Sequence, residues 1–393
     1  MKKELQPDAR PLLFMPLDLR GVRLPNRIVI SPMCQYSARD GHANDWHFAH
    51  LAQFAMGGAG LIFTEAVAVE ARGRITHGDL GLWSDQYVPW LRRMADFIKQ
   101  QGSVPAIQLG HAGRKACMQR PWYGNGALGR ADIERGDRPW PIVAHGSNAL
   151  GEGWPVPHEL AIAELDQVRD AFRSAAQRAL AAGFDVAEVH GAHGYLLHGF
   201  LSPLSNRRSD RYGGSLENRM RFPLEVAEAV RSVWPEDKPL FFRVSAIDDF
   251  EGGWSIEDSI VLARGLKARG VDVVDCSSGG ILGAATAAAK PLTPRVLGFQ
   301  VPFAERVRRE AQINTMAVGL IVGARQAEQA LREGRADLIA IGREALNDPR
   351  WALHAARELG CDPDFDLWPE QYGWWLRQRE PLLRKLLAET PEA

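Results

Sequence analysis

The amino-acid sequence predicts a (β/α)8 barrel, the TIM-barrel architecture, and three observations lead to that fold class. Short apolar runs alternate with amphipathic helical segments along most of the 393 residues. Eight such runs are present, each four to seven residues long and bounded by Gly, Pro, Ser or Asp. Polar residues follow the runs at their carboxyl ends, where barrel enzymes assemble their sites. A doubly wound sheet with the same strand count remains the alternative, because periodicity does not reveal whether a sheet closes.

The predicted strands are mostly apolar, as expected where both faces of a parallel sheet are buried. In chain order they cover residues 27–32, 61–65, 104–109, 186–190, 240–245, 271–277, 314–318 and 338–341. The segments between them repeat apolar residues at helical spacing, and several end at a glycine suited to a left-handed cap. The predicted helices cover residues 87–101, 168–182, 215–233, 256–268, 301–311 and 324–333.

The whole chain, residues 1–393, is interpreted as one barrel domain with two additions. Residues 116–160 are rich in Gly, Pro and Trp and contain no long periodic element. A segment of this length predicts a loop insertion over the active-site face. Residues 361–393 carry Trp and Arg side chains close together, a composition typical of a surface that docks onto a second subunit.

Composition excludes several classes of protein. Lys and Arg number 47 against 48 Asp and Glu, so the net charge of −1 argues against a nucleic-acid-binding surface. No apolar stretch is long enough to span a membrane, and no apolar segment of a signal peptide follows the N-terminus. The four cysteines are far apart in sequence, which predicts reduced thiols in a cytoplasmic protein.

The chemistry is concentrated after the predicted strands. The first is followed by SPMCQY (31–36), the third by HAGRK (111–115) and the fourth by HGAHGY (190–195). The fifth strand contains Arg243, and the last two lead into Gly319 and into Gly342 with Arg343, where barrels often bind phosphate. An arginine inside an apolar run needs a partner, so a structural ion pair with Glu188 or Asp275 is an alternative role for Arg243.

These motifs resemble the Old Yellow Enzyme family of FMN-dependent ene-reductases, the NADH:flavin oxidoreductase/NADH oxidase family. The resemblance runs from about residue 12 to 360 and is carried by NRIVISPMCQYS (26–37), IQLGHAGRKA (107–116) and HGAHGYLLHGFLSPLSNRRSDRYGGSLENR (190–219). The cysteine of SPMCQY is similar to that of the subgroup called thermophilic-like. The resemblance implies FMN held non-covalently, NAD(P)H as reductant with NADPH favoured, and activated alkenes as substrates in a ping-pong cycle.

The resemblance also implies roles for individual residues. His190 and His193 would bind the carbonyl or nitro oxygen of the substrate, and Tyr195 would give a proton to its α-carbon. Tyr36 would contact substrate. So would a residue from the C-terminal tail of a neighbouring subunit of a homodimer or homotetramer, with Trp375 as the preferred candidate and Arg377 or Arg379 as the alternatives. The residues implied to bind FMN are Ser31, Pro32, Met33, Cys34, Ala66, Gln108, Arg243, Gly319, Gly342 and Arg343. Relatives often carry an aromatic residue near 290–298, where this chain has Pro294, Arg295 and Val296, so a role for Arg295 is not implied.

Two other functions remain open from the residues alone. His190, His193 and His198 are close enough in sequence to be ligands of a metal-dependent barrel hydrolase. Cys34 beside a flavin would suit a redox sensor with little turnover. The first alternative predicts sensitivity to chelators, and the second predicts bound flavin without reduction of simple enones.

Overall fold

Eight parallel strands close into a barrel in the computed structural model, which describes residues 10–283 and 292–389. Each strand pairs with the next along the chain, and the last pairs with the first. The predicted fold class is therefore confirmed, and the doubly wound alternative is wrong. The strands are β1 Ile28–Ile30, β2 Leu61–Ala68, β3 Val104–Gly110, β4 Val186–Gly191, β5 Leu240–Ser245, β6 Val273–Ser277, β7 Asn314–Ala317 and β8 Leu338–Ile341.

Helices fill the connections and pack around the barrel. The longer ones are α1 Asp45–Ala55, α2 Val88–Gln100, α3 Ile162–Ala181, α4 Leu216–Arg231, α5 Ile256–Lys267, α6 Val301–Ala311, α7 Ala324–Arg332, α8 Trp351–Glu358 and α9 Glu370–Glu389. Short helical turns lie at Leu12–Phe14, Ala71–Gly73, Asp85–Tyr87, Gly113–Lys115, Pro121–Tyr123, Arg130–Glu134, Leu196–Leu201 and Arg343–Asn347. Ser215 begins α4 as the sequence predicts, because its hydroxyl accepts the backbone N–H of Asn218.

The predicted element boundaries agree with the structure to within a few residues, except in two places. Strand β2 continues three residues past its predicted end, through a register shift between Phe63 and Ala66. Helix α3 begins at Ile162, ahead of the predicted start, because Glu164 accepts the backbone N–H of Ala161 and caps it.

The interior of the barrel changes from apolar to polar toward the carboxyl ends of its strands. Successive side chains of a strand point to opposite faces, so Val186, Glu188 and His190 of β4 all point inward. On β5 the matching inward positions are Phe241 and Arg243. The apolar lower layer comprises Val29, Leu61, Phe63, Ala106, Val186, Phe241, Val273, Met316 and Leu338. A hairpin of Leu17–Leu19 and Val22–Leu24 packs against this layer and closes the amino end of the barrel.

Residues 116–160 contain only short elements, among them the helix Arg130–Glu134 and two paired strands, Val143–Ala144 and His158–Glu159. Side chains of this insertion pack with residues of the barrel mouth in one small cluster. That cluster includes Tyr195, Tyr36 and Cys34 together with Met118, Ile142, Trp140 and Trp154. The insertion therefore lies beside the residues that the sequence selects for chemistry.

Within the residues that the structure describes, no helix has both the length and the apolarity needed to cross a membrane. The expectation about the N-terminus falls on residues 1–9, which lie outside the described residues.

Candidate active site

The aromatic side chains of HGAHGY meet at the carboxyl end of β4. The ring centroids of His190 and His193 are 5.2 Å apart, with their planes at 82°. The ring of Tyr195 lies 4.9 Å from that of His190, at 83°. The three side chains implied to act on substrate are thus adjacent, and a peptide of six residues is enough to bring them together.

His193 is held by two serines, one from β5 and one from β6. Its backbone N–H donates to the Ser245 hydroxyl at 2.9 Å, and its Nε2 lies 2.8 Å from the Ser277 hydroxyl. Its φ of 60° is in the left-handed region, which costs energy for a residue other than glycine. The two contacts stabilise that conformation at the ends of β5 and β6.

Both histidines are electrically neutral at physiological pH. Burial lowers the pKa of His190 and of His193 well below the ordinary value, and the positive charge of Arg243 lowers each further. The Nδ1 of His190 accepts the backbone N–H of Ala192 at 3.2 Å, so its proton resides on Nε2. A neutral imidazole with a fixed N–H is a hydrogen-bond donor that carries no charge of its own.

Tyr195 keeps its phenolic proton. Burial raises the pKa of Tyr195 well above the usual range, and negative charge on Cys34 or Asp79 would raise it further. The residue precedes the short helix Leu196–Leu201, which is fixed by a hydrogen bond from the Leu196 N–H to the His111 carbonyl. A small cavity of about 10 Å³, lined by Tyr195, His190 and Asp79 among others, lies beside it.

Lys115, which the family resemblance implies to lie near the ligand or cofactor entrance, is a buried residue of this site. Its side chain is 1 % exposed, and its Nζ donates to the carbonyls of His193, at 2.8 Å, and Gly280. Burial lowers the pKa of Lys115 to about 7. The lysine therefore supports the backbone of His193 from the loop after β3. No local sequence signal distinguishes it from an exposed lysine.

Gln108 and Arg243 occupy the buried layer directly beneath the histidines. Gln108 Nε2 donates to Glu188 Oε1 at 2.7 Å, and Arg243 Nε lies 2.9 Å from Asp275 Oδ2. The alternative in which Arg243 forms an ion pair is thus realised, with Asp275. His190, Arg243 and Asp275 are register partners on adjacent strands, and so are Ala66, Gln108 and Glu188.

The segment after β1 supplies a second side of the site. Ser31 is buried and its N–H donates to Ile341, whereas Pro32, Met33, Cys34 and Tyr36 are half-buried. Burial raises the pKa of the Cys34 thiol well above its usual range, and nearby Glu65 and Asp79 add to that effect. A thiol in that state is a poor nucleophile.

Tyr36 has a φ of 49°, and its ring lies 6.1 Å from that of Trp122 in the insertion. Tyr36, which the resemblance implies to contact substrate, therefore lies next to the insertion of residues 116–160.

Glycines at the ends of β3 and β8 leave the backbone accessible. A Cβ added to Gly342 would meet only the Ser31 Cβ, at 3.9 Å, and one added to Gly110 would meet only side-chain Cβ atoms at 3.6 Å or more. Gly319 has a φ of 109°, and a Cβ there would lie 2.5 Å from Gln300 Nε2. Arg343 is exposed directly after Gly342. Backbone without side chains next to an arginine is the donor set that a phosphate requires.

Trp375 lies apart from these residues within the chain. It belongs to α9 and lines a surface cavity of about 460 Å³ with Arg350, His354, Trp368 and Arg379. The implied contact with substrate from a neighbouring subunit stays a prediction.

Arg295 lies 3.5 Å from Asp249 and stacks over Phe299 at 4.4 Å, so it joins the segment before α6 to the loop after β5. Of the segment 290–298, residues 290 and 291 lie outside the described residues.

His198, the third ligand in the metal-site alternative, is bound elsewhere. Its Nε2 lies 2.8 Å from Asp248, and its Nδ1 accepts the N–H of Gly194. Among residues 10–283 and 292–389, no three His, Cys, Asp or Glu side chains are placed to hold a metal ion together.

The residues at the barrel mouth fit FMN. Arg243 provides a guanidinium that forms an ion pair with Asp275, and Gln108 provides an amide in the same layer. Gly342 and Arg343 supply accessible backbone and a cation at the end of β8. The isoalloxazine ring and the phosphate of FMN need these two kinds of group.

Comparison with known proteins gives the same result. Residues 12–361 match the model of the NADH:flavin oxidoreductase / NADH oxidase family. An NADPH dehydrogenase of Geobacillus sp. (strain WCH70) is 47% identical over 352 residues, covering 89% of this chain and 95% of that one. An NADPH dehydrogenase of Bacillus subtilis (strain 168) is 44% identical over 366 residues, covering 92% and 99%. Among solved structures, morphinone reductase superposes with a TM-score of 0.71 at 26% identity, covering 90% of this chain and 91% of that chain.

Proposed function

Because the chain belongs to the NADH:flavin oxidoreductase / NADH oxidase family, we propose that this FMN-dependent oxidoreductase takes electrons from NADPH and reduces activated carbon–carbon double bonds. The acceptors would be α,β-unsaturated carbonyl or nitro compounds. The observation that carries the proposal is the junction of two neutral histidines and a protonated tyrosine at the mouth of one barrel.

FMN, when bound, supplies the hydride. Gly342 and Arg343 would hold its phosphate, and Gln108 and Arg243 its polar ring edge. Ser31 directly follows β1, and Ala66 lies within β2. The backbone of both residues would also contact FMN.

His190 and His193 would bind the oxygen of the acceptor. Addition of hydride to the β-carbon drives negative charge onto that oxygen, and preorganised donors there can be worth ~10²–10³ in rate each. Serine and lysine contacts hold His193 before substrate arrives, so little reorganisation is required. Because both imidazoles are neutral, they stabilise the developing charge without transferring a proton.

Tyr195 would donate its proton to the α-carbon. A phenol that stays protonated throughout the physiological range is a suitable general acid for a carbanion or enolate. Tyr36 packs against the same small cluster as Tyr195 and would limit the space left for the acceptor.

An anaerobic titration tests this function. The FMN-loaded protein should lose its visible flavin absorbance when NADPH is added and regain it when cyclohexenone follows. Initial rates with both substrates varied should give parallel double-reciprocal lines, because one site serves both in turn. Absorbance that stays bleached after the enone would refute alkene reduction while leaving the family assignment intact.

We also propose that the protein is a homo-oligomer that assembles through α9 and acts in the cytoplasm. Trp375 and Leu382 of that helix are 68% and 61% exposed, a large apolar exposure for a terminal helix. The four cysteines are free thiols, as expected in a reducing compartment. Light scattering on the purified protein tests the oligomer, and truncation before residue 370 should yield monomers.

A further inference from the structure

The buried layer beneath the histidines contains more negative than positive charge. Glu188 and Asp275 are both 0% exposed, and Arg243 is 7% exposed. If all three were ionised, the layer would carry a net charge of −1 in the interior of the barrel. An uncompensated buried charge is expensive, and proteins usually remove it by protonation.

Within residues 10–283 and 292–389, Arg243 is the one cation in an ion pair with either of these carboxyl groups. Below it lie Val186, Phe241 and Val273, two residues earlier on the same strands and part of the apolar layer. Above it lies His190, which burial keeps neutral. From the side, Gln108 contributes an uncharged amide. Arg243 is therefore the cation that must balance two carboxyl groups.

The contacts distinguish the two carboxyl groups. Asp275 Oδ2 lies 2.9 Å from Arg243 Nε, whereas the contact recorded for Glu188 is with the Gln108 amide. In the described part of the chain, Glu188 Oε2 and both carboxylate oxygens of Asp275 accept no hydrogen bond, so Asp275 and Arg243 form an ion pair that lacks hydrogen-bond geometry. A proton on Glu188 Oε2 removes one charge and provides one of the missing donors.

We propose that Glu188 retains its proton in the folded protein and that Asp275 is the counter-ion of Arg243, so that the layer is electrically neutral. The titration behaviour agrees in direction: burial raises the pKa of Glu188 well above its usual range, and the charge of Asp275 raises it further. Burial also raises the pKa of Asp275, which Arg243 counteracts. The pair thus holds one proton, and the ion pair with Arg243 assigns it to Glu188.

The consequence for the cofactor rests on the proposed function. Reduction adds electrons to FMN, so a negative charge nearby lowers its reduction potential and a positive charge raises it. When Glu188 is protonated, it adds no negative charge to that of the Arg243–Asp275 ion pair. Glu188 is in this sense a positioning residue, because it acts through Gln108 and through the charge of the layer.

Two isosteric variants separate this proposal from its alternative. Glu188→Gln replaces a neutral group by a neutral group, and its FMN should equilibrate with a reference dye within about threefold of the parent. Adding Asp275→Asn to Glu188→Gln leaves Arg243 without a counter-ion, because Glu188 can no longer ionise in place of Asp275. This double variant should favour reduced FMN by tenfold or more, about 30 mV for a two-electron couple. A tenfold shift in the same direction for Glu188→Gln alone, or none for the double variant, would overturn the proposal.

Infrared spectroscopy of the flavin-free protein gives an independent answer. A protonated carboxyl has its own C=O stretching band. Burial raises the pKa of Asp79 to about 7, so its band is removed by taking difference spectra between the parent and each variant. The difference between the parent and Glu188→Gln should contain a protonated-carboxyl band, and the difference between the parent and Glu65→Gln, a matched buried carboxyl, should lack one. An unchanged spectrum in Glu188→Gln would refute the proton assignment even if the double variant fails to fold. Because no flavin is needed, a failure to bind FMN would count against the proposed function alone.

Discussion

The Nε2 atom of His193 lies 2.8 Å from the hydroxyl oxygen of Ser277, so the ends of β4 and β6 are joined across β5. The contact sets the plane of a ring that would otherwise rotate about its Cβ–Cγ bond. Ser245 of the intervening strand holds the backbone of the same residue. His193 is thereby oriented by residues more than fifty positions away in sequence.

Ser277→Ala should lower kcat/KM for alkene reduction by about 3- to 10-fold, the value of one hydrogen bond of about 0.5–1.5 kcal/mol. The loss should appear in the half-reaction with the enone and not in the reduction of FMN by NADPH. Stopped-flow absorbance separates the two steps.

Ser103→Ala is the matched control for Ser277→Ala. It removes another buried serine hydroxyl, one that donates to the Ala59 carbonyl at the amino end of β3. Equal losses of activity in the two variants would mean that Ser277 contributes only to stability.

Tyr195→Phe should slow reduction of the enone by ~10²–10⁴, since the general acid is removed while the ring packing is retained. FMN reduction by NADPH should remain within about twofold of the parent. Tyr87→Phe is the control, because Tyr87 is buried and donates a single hydrogen bond to the Asp40 carbonyl away from the site. Normal turnover in Tyr195→Phe would assign the proton to another donor.

Arg343→Ala should weaken FMN binding by ~10- to 100-fold, as expected when a charge-assisted hydrogen bond of ~1.5–3 kcal/mol is lost. Fluorescence of released flavin during dialysis measures the change. Arg335→Ala removes an arginine that pairs with Glu305 before the start of β8. An affinity loss of the same size in both variants would show that the phosphate does not contact Arg343.

The sequence predicts all eight strands and six of the surrounding helices because these elements have local signatures, whereas α1 and α8 are not among the predicted helices. Strands β5 and β8 begin and end at the predicted residues; Pro239 and Asp337 precede the two apolar runs, and Gly342 ends the second. The close approach of His190, His193 and Tyr195 is also local, because the last residues of β4 and the turn that follows it contain all three.

Other parts of the site depend on the closure and register of the barrel, which periodicity does not encode. Asp275 meets Arg243 because β6 pairs with β5 in one particular register. Lys115 reaches the His193 carbonyl across 78 residues of sequence, and only the packed structure shows that it is buried. Arg295 likewise forms its ion pair with Asp249 because the folded loops bring the two residues together. The absence of an aromatic residue in this segment of the sequence does not predict that contact.

His145 makes folding stability depend on pH in a predictable direction. Burial, followed by the charge of Arg114, lowers the pKa of His145 from 6.5 to about 3. Between those values the unfolded chain binds a proton that the folded protein does not, so stability rises with pH through this window and is lost on acidification. One such group contributes at most about 1.4 kcal/mol per pH unit.

His145→Phe should therefore flatten the pH dependence of the unfolding free energy between about pH 6 and pH 4. In this range the slopes of the parent and the variant should differ by the equivalent of one bound proton. The ring of His145 already lies 5.9 Å from Phe200 in an edge contact, so an aromatic replacement suits the site. The variant can be less stable at pH 8, because only the slope reports the titration. Urea unfolding at each half pH unit measures that slope for both proteins. Parallel curves would show that His145 is protonated in the folded state, or that it titrates alike in both states, and would contradict the neutral buried imidazole described here.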